Sequence, residues 1–160
     1  MKQDVYNVTF GGIGGQGIIK ASELLGWAAL YDGYHVKKSE VHGMSQRGGS
    51  VESHVRFGKK IFSPLIGEGQ ADFLLCFHAD EHPRLLPFLR KGGVDLAPYL
   101  AKVQEAIEDQ RSLNTALVGV LSAHLPIREK SWQKALETVF KPKILESNRL
   151  VFAKARALCQ

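Results

Sequence analysis

The sequence predicts an α/β fold whose last third is helical. An apolar run over Val5–Phe10 leads into five glycines within residues 11–17, and a long apolar helical run begins at Ile18. Asp72–Phe77 is a continuous apolar run, which is typical of a strand inside a sheet. From about residue 99 onward, apolar residues recur at helical spacing. These patterns predict one domain over residues 1–160, with three α/β/α layers, a mixed sheet and a Rossmann-like first βα unit.

Composition and charge are those of a soluble globular protein. The 160 residues are 44% hydrophobic and 23% charged, with a formal net charge of +5. The basic residues are scattered without interleaved aromatic residues, so the pattern does not favour nucleic-acid binding. No apolar run approaches the ~18–20 residues of a membrane span, and the N-terminus does not resemble a signal peptide. We therefore expect a cytoplasmic protein without a nucleic-acid or membrane partner.

The first half of the chain is predicted to be rich in strands. The predicted strands are Val5–Phe10, His35–Val41, Val51–Phe57, Ile61–Ile66 and Asp72–Phe77. A turn at Gly58–Lys60 predicts a hairpin between the third and fourth of these, and Pro64 suggests a sheet edge. We also predict a helix over Asp80–Arg90 that ends at Gly92-Gly93.

Helices account for most of the remaining chain. We predict a helix from Ile18 to about Asp32, then helices over Tyr99–Gln110, Leu113–His124, the stripe from Trp132 to Phe140, and Asn148–Leu158. Pro142 is expected to end the Trp132 stripe. The helix that begins at Ile18 is apolar nearly all round, so one side should face the sheet. Its other side could meet another subunit.

The glycine turn can be interpreted in several ways. Gly12-x-Gly14-x-x-Gly17 lies between a strand and a helix, which is the dinucleotide-binding fingerprint, and Glu40 lies near the position of a ribose-binding acid. However, the next two strands are joined by a connection too short for a parallel crossover. The turn could also serve only to pack the helix against the sheet. A third interpretation is an anion site, because a helix N-terminus offers free N–H groups.

A second glycine-bearing loop follows over residues 42–49. It contains hydrogen-bonding and charged side chains beside two glycines, namely His42, Ser45, Gln46, Arg47, Gly48 and Gly49. An arginine can bind a phosphate or carboxylate through two N–H groups, and glycines expose backbone N–H groups. The loop could be a plain surface loop, or part of a subunit interface or ligand site. The second interpretation is favoured, because both loops follow strands in the same way.

Several motifs in the same order resemble a known family. Gly12–Gly17, the phrase over 40–51 that begins Glu40-Val41-His42-Gly43, Ser63–Ile66 and Ala71-Asp72 resemble the gamma-type domain of 2-oxoacid:ferredoxin oxidoreductases. Within that family the phrase at Glu40 is similar to the small subunit of indolepyruvate oxidoreductase. The resemblance resumes over 114–126 and near Trp132. The region from 93 to 113 is shorter than in the family, which leaves room for an inactive paralogue.

The resemblance implies a share in one reaction. Such enzymes decarboxylate a 2-oxoacid on thiamine diphosphate, pass electrons through iron–sulfur clusters to ferredoxin and release an acyl-CoA. The thiamine and the clusters are expected on partner subunits, with ferredoxin as an indirect partner, so this chain would act in a hetero-oligomer and bind no cofactor alone. Cys76 and Cys159 match no metal or cluster spacing, and no residue is assigned as catalytic or metal-binding.

The predicted interface or cofactor-binding residues lie in the two glycine loops, where coenzyme A is also expected. They are Gly12, Gly14, Gly15, Gln16, Gly17, His42, Ser45, Gln46, Arg47, Gly48 and Gly49. The alternative function is a stand-alone nucleotide- or phosphate-binding module with a Rossmann-like start. The other histidines are expected to be structural or solvated.

Overall fold

A five-stranded mixed sheet forms the centre of the fold. The computed structural model describes residues 3–42 and 48–160. The strands are β1 (Val5–Ile13), β2 (His35–His42), β3 (Ser50–Gly58), β4 (Ala71–Cys76) and β5 (Leu89–Asp95). Their order is β2-β3-β1-β4-β5, with β3 antiparallel to β1 and β2, and with β4 parallel to β1 and β5. The predicted α/β fold with a mixed sheet is confirmed.

Most of the helices lie on one face of this sheet. The helices are α1 (Ile18–Tyr31), α2 (His82–Leu85), α3 (Tyr99–Ala106), α4 (Leu113–Ser122), α5 (Glu129–Val139) and α6 (Pro142–Ala157). α1 packs on β1, β2 and β3, α4 and α5 pack beside α1, and α6 packs on α4. The short α2 packs on the other side of β1 and β4. Within the described part of the chain, no helix has the length and apolar character needed to cross a membrane.

Alternate residues of the strands point to opposite faces of the sheet. On the face that packs against α1, called the α1 face, Val8 and Phe10 are fully buried in the main core. On the opposite face, called the α2 face, Leu74 and Cys76 form a small cluster with Leu85. The main core is therefore the layer between the sheet and the long helices.

The predicted hairpin after Gly58 is wrong. Residues 61–66 form no strand, and the segment lies across the α2 face. Ser63 O accepts a 2.6 Å hydrogen bond from Arg56 Nη1, and Ile61 N donates to His35 Nδ1 at 2.9 Å. Side chains of the sheet thus use the backbone groups that a strand ladder would need, and Pro64 has no N–H group to donate.

The predicted helix over 80–90 is replaced by short helical turns and is wrong at its end. Two short 3₁₀ turns and α2 occupy residues 79–88, and β5 begins at Leu89. β5 contains the glycine pair that was expected to end a helix. Gly92 has a φ of 79°, and the β4–β5 register is irregular. A glycine-bearing irregularity weakens the strand signal in the sequence, which explains the error.

The ends of three helices differ from the predictions. α3 ends at Ala106, four residues before the predicted end, and α4 ends at Ser122. Pro142 lies in the first turn of α6 and so begins a helix, which starts six residues before the predicted Asn148. The second apolar side of α1 packs mainly on α5 of the same chain, so it does not require another subunit. Trp27 and Leu30 of α1 nevertheless remain exposed.

Candidate functional site

Four strand ends meet at one edge of the sheet, called here the carboxyl edge. β1 ends at Ile13, which lies opposite Ser50 at the start of β3. His42, the last residue of β2, lies opposite Val51. β4 runs parallel to β1 and ends beside it at Cys76. Ligand sites of α/β proteins commonly lie at this edge, where strands deliver loops to one place.

The first glycine turn links β1 to α1 at the carboxyl edge. Gly15 and Gly17 have φ values of 94° and 78°, in the left-handed region that favours glycine. A side chain at Gly15 would meet no atom within 4 Å, so this glycine faces open space. Gly17 is the N-cap residue of α1 and has no side chain to cap the helix. The first N–H groups of α1 are therefore available to an external acceptor.

Gln16 holds this turn to the sheet. Its Oε1 accepts a 2.9 Å hydrogen bond from Ile13 N, and its Nε2 donates a 2.8 Å hydrogen bond to Phe77 O. Both ends of the amide are occupied by backbone groups at the ends of β1 and β4. The side chain of Gln16 thus serves to shape the turn in this structure.

The second glycine loop adjoins the first. Gly14 N donates a 2.8 Å hydrogen bond to Gly49 O. A side chain at Gly14 would lie 3.6 Å from Gly48 N, so the two backbones pass close together. The expected proximity of the loops is confirmed for Gly48 and Gly49. The predicted site residues Ser45, Gln46 and Arg47 lie outside the described residues.

A groove of about 440 Å³ lies on one side of the first turn. It is lined by residues of the turn, the start of α1 and the neighbouring strand ends, among them Gly14, Gly15, Lys20, Glu23, His42 and Val51. The first turn of α1 contains no acidic side chain, and Lys20 lies within it. The helix N-terminus favours an anion in this groove, and Lys20 adds a cation to its lining. Lys20 Nζ lies 5.4 Å from the centre of the Phe140 ring.

A second groove of about 410 Å³ lies on the other side of the turn. Gln104, Gln110 and Arg111 line it together with Gly15 and Gly17. The Arg111 guanidinium hydrogen bonds to the Asp109 carboxylate at 3.0–3.2 Å, and this contact lowers the pKa of the Asp109 carboxyl. The groove therefore offers amide groups and a paired cation beside the glycines.

Sequence reasoning missed the residues that arrive from the helical third. Asn114 at the start of α4 lies against Gly17, and its Nδ2 donates a 3.4 Å hydrogen bond to Gly17 O. A side chain at Gly17 would approach Asn114 Nδ2 to 2.5 Å. Asn114 falls in the segment where the family resemblance resumes, which was the available signal. Lys20 could have been found from its place in the first helical turn, whereas nothing near Gln104 or Arg111 marks them.

Gly12 has a packing role. It is buried in β1, and a side chain there would meet Gln16 Oε1 at 2.6 Å and Phe77 Cβ at 2.8 Å.

The dinucleotide interpretation is weakened at Glu40. Its strand, β2, is antiparallel to β3 and does not adjoin β1. A hydrogen bond from Lys38 at 2.8 Å lowers the pKa of the Glu40 carboxyl and occupies it.

The cysteines do not fit an iron–sulfur cluster. The chain has two, and a cluster with all-cysteine ligation needs four thiolates. Cys76 is buried in β4, where burial raises the pKa of its thiol, and Cys159 lies beyond α6. Residues 3–42 and 48–160 contain no group of three or more His, Cys, Asp or Glu side chains that could hold a metal ion.

Curated relatives are subunits of oxoacid oxidoreductases. The chain is 52% identical over 89 residues to indolepyruvate oxidoreductase subunit IorB of Thermococcus kodakarensis. This match covers 56% of the chain and 44% of the relative, so the chain corresponds to about half of that protein. It is 27% identical over 171 residues to 2-oxoglutarate synthase subunit KorC of Methanocaldococcus jannaschii, covering 92% of the chain and 90% of that subunit.

Solved structures share the fold across the whole chain. A keto/oxoacid ferredoxin oxidoreductase gamma subunit from Geobacter sulfurreducens superposes with a TM-score of 0.79 at 22% identity, covering 96% of this chain and 98% of that one. A chain of the 2-oxoglutarate:ferredoxin oxidoreductase from Magnetococcus marinus, solved with 2-oxoglutarate, coenzyme A and succinyl-CoA bound, superposes with a TM-score of 0.83 at 19% identity. This match covers 99% of the present chain and 31% of that one. The family model described as pyruvate ferredoxin/flavodoxin oxidoreductase matches residues 7–98, which include the sheet and both glycine loops. The chain belongs to that family.

Proposed function

We propose that this chain is the gamma-type, non-cluster part of a thiamine-diphosphate-dependent 2-oxoacid:ferredoxin oxidoreductase. The complex oxidatively decarboxylates a 2-oxoacid, passes electrons to ferredoxin and forms an acyl-CoA. The chain constitutes a single gamma-type domain over residues 1–160. The observation that carries the proposal is the Gly14–Gly49 hydrogen bond, which joins both family motifs at the carboxyl edge.

The chain acts with partners and not alone. Its two cysteines cannot ligate a cluster, and no residue group that could hold a metal is present among the described residues. As the family resemblance implies, the thiamine diphosphate and the iron–sulfur clusters are proposed to lie on partner subunits of a cytoplasmic hetero-oligomer. The turn around Gly15 is exposed and offers backbone for close docking against the thiamine-bearing subunit.

Coenzyme A is the substrate that the carboxyl edge suits. Its phosphates are anions, and the free N–H groups at the start of α1 lie beside Lys20. The structure from Magnetococcus marinus, whose fold this chain shares, belongs to an enzyme with coenzyme A and succinyl-CoA bound. The residues proposed to line this surface are Gly14, Gly15, Gly17, His42, Gly48 and Gly49, together with Ser45, Gln46 and Arg47 from the sequence.

The 2-oxoacid is proposed to be indolepyruvate or another aryl pyruvate. The proposal follows from the 52% identity to IorB over 89 residues of this chain. A comparison of indolepyruvate, pyruvate and 2-oxoglutarate as substrates of the purified complex tests it. A higher kcat/KM for pyruvate or 2-oxoglutarate would contradict it.

A matched pair of glycine substitutions tests the docking surface. Gly15 and Gly33 have φ values of 94° and 93°, and a side chain at either meets no atom within 4 Å. Gly15→Val and Gly33→Val should therefore strain the backbone equally, by about 1–3 kcal/mol. In the complex purified from the native source, only Gly15→Val should lower the activity or weaken the assembly. Equal behaviour of the two variants would contradict the proposal.

Lys20→Met tests the coenzyme A phosphate contact. We expect the KM for coenzyme A to rise roughly three- to tenfold, because one charge contact at a helix N-terminus contributes about 1 kcal/mol. The KM for the 2-oxoacid should stay unchanged. Lys59→Met is the control, since this lysine is exposed and follows the end of β3, at the edge of the sheet opposite the turn. Tight stoichiometric binding of NAD or ATP by the isolated chain would instead favour a stand-alone nucleotide-binding module.

A further inference from the structure

β2 is an edge strand of the sheet. Its inner side pairs with β3, and its outer side has no partner strand among residues 3–42 and 48–160. All eight of its residues are exposed or half-buried. An open edge of this length presents unpaired N–H and C=O groups that can pair with another chain.

The side chains of β2 divide between the two faces. Val36 and Lys38 line a shallow groove with Glu23, Trp27 and Leu30 of α1, so they lie on the α1 face. By alternation, Glu40 and His42 share that face, and Lys38 Nζ lies 2.8 Å from Glu40 Oε1. On the α2 face, Ser39 Oγ donates a 3.3 Å hydrogen bond to Pro64 O.

We propose that a second copy of this chain pairs with the open edge of β2, antiparallel and with a two-fold axis through Ser39. A two-fold axis perpendicular to the sheet keeps every side chain on its own face, so each residue can oppose only a residue of the same face. With Ser39 opposite Ser39 of the second copy, Lys38 lies opposite Glu40 of the second copy, and Glu40 opposite Lys38. Opposite charges in directly facing positions stabilise a strand pair.

The adjacent registers are less favourable. An axis through residue 38 places two Lys38 side chains opposite each other, and an axis through residue 40 does the same with two Glu40 side chains. Like charges directly opposite one another are destabilising. The charge pattern of β2 thus favours the axis through Ser39 over the two adjacent registers and makes a second β2 a self-complementary partner.

The helix above the edge supports the same partner. α1 packs over β2 and β3, and neighbouring strands lie about 4.8 Å apart. Two α1 helices related by this axis would therefore lie roughly 10–14 Å apart, wider than the 8–10 Å of directly packed helices, so large side chains must fill the gap. Trp27 and Leu30, exposed by 40% and 51%, lie on the side that borders β2 and would cover the space between the helices.

A charge-swap experiment on the 160-residue chain tests the pairing. Sedimentation velocity over a concentration series should show a dimer for the native sequence. Lys38→Glu and Glu40→Lys should each weaken dimerisation at least tenfold, since each places like charges opposite each other twice. The double variant restores opposite charges and should restore the dimer. Lys91→Glu in β5, at the other edge of the sheet, is the matched control and should leave the dimer unchanged.

A disulfide experiment tests the register. In a Cys159→Ser background, Ser39→Cys should form an intermolecular disulfide on mild oxidation, because the two facing Cβ atoms lie about 4.5–5.5 Å apart. Lys37→Cys should form no such disulfide, because the two copies of residue 37 would be offset by four residues. That offset is roughly 13 Å along the strand. Cys76 is buried and does not interfere.

Three outcomes would overturn the inference. The first is a native chain that does not dimerise. This outcome includes a chain whose β2 edge binds only a different subunit. The second is a dimer that resists both single charge reversals. The third is a double variant that is folded by circular dichroism but does not regain the dimer.

Discussion

The α1 face and the α2 face of the sheet use alternate residues of the same strands but are stabilised differently. On the α1 face, Phe10, Val55 and Phe57 are fully buried against long helices. On the α2 face, Thr9 and His54 are also buried, yet they are polar and lie beneath a short helix and an irregular segment. One face therefore removes apolar area from water, whereas the other must give each polar group a partner.

A chain of side-chain contacts meets that requirement beneath α2. Thr9 Oγ1 lies 2.9 Å from His54 Nδ1, and His54 Nε2 donates a 3.1 Å hydrogen bond to Glu52 Oε2. Arg84 of α2 pairs with Glu52 and, at 3.0 Å, with Glu81. These contacts attach α2 to β3 near the carboxyl edge. They also give His54 a structural role, as the sequence predicted.

A second set of contacts lies nearer the middle of the same face. Asp72 accepts 2.7 Å hydrogen bonds from Asn7 N and Arg90 Nε. Arg56 Nε donates a 2.9 Å hydrogen bond to Asn7 Oδ1, and Arg56 also holds Ser63 O. Segments with little regular structure are thus positioned by polar contacts, which depend on particular partners more strictly than apolar packing does.

The largest effect is expected from the α1 face. Phe10→Ala should lower the free energy of unfolding by about 3–5 kcal/mol, because it leaves a cavity in a close-packed core. Urea denaturation followed by circular dichroism measures the change. Phe62→Ala is the control, since Phe62 is 80% exposed and its truncation should change stability by less than about 0.5 kcal/mol. Similar losses for both variants would contradict the assignment of the main core.

An intermediate effect with a pH signature is expected from the α2 face. The hydrogen bond from His54, together with the nearby Arg84 charge, holds the pKa of the Glu52 carboxyl below its ordinary value of 4.5 despite burial. Its stabilisation is therefore complete above the unfolded-state pKa and is lost as the pH falls through the lower folded-state pKa. Glu52→Gln should cost about 1–3 kcal/mol at neutral pH and should flatten the acid limb of the stability profile.

The control for that profile is Glu68→Gln. Glu68 is exposed, so its substitution should leave both the neutral stability and the acid limb unchanged. Unfolding by urea at several pH values between about 3 and 7 supplies the comparison. An acid limb that stays the same in Glu52→Gln would show that this carboxyl is not held in the network.

The smallest effect is expected where a polar contact holds an irregular segment. Arg56→Met removes hydrogen bonds to Asn7 and Ser63 and should cost about 1 kcal/mol. Amide hydrogen exchange should increase within residues 59–66 more than in β1. The same substitution at Arg111, which is 90% exposed, should have no measurable effect on stability. Unaltered exchange in 59–66 would mean that the segment is held by other contacts.

Strong periodic signals were enough to predict most of the sheet and its first helix. β1, α1, β2, β3 and β4 appear near their predicted bounds, because apolar alternation and glycine turns are local properties of the chain. The short connection between β2 and β3 excluded a parallel crossover, and the structure pairs the two strands antiparallel. The sequence does not predict β5, because Gly92 and Gly93 interrupt its pattern. It predicts a strand over 61–66 wrongly, because the apolar pattern there does not reveal the polar contacts from Arg56 and His35.

The candidate site divides in the same way. Local sequence alone determined that a glycine turn precedes an apolar helix, since a tight turn at positive φ needs glycine at Gly15 and Gly17. The tertiary structure alone decided that Asn114 lies against Gly17 and that Gln104, Gln110 and Arg111 line a groove beside it. These contacts join residues about ninety positions apart. Such contacts depend on how α3 and α4 pack against the sheet, and no local pattern encodes that arrangement.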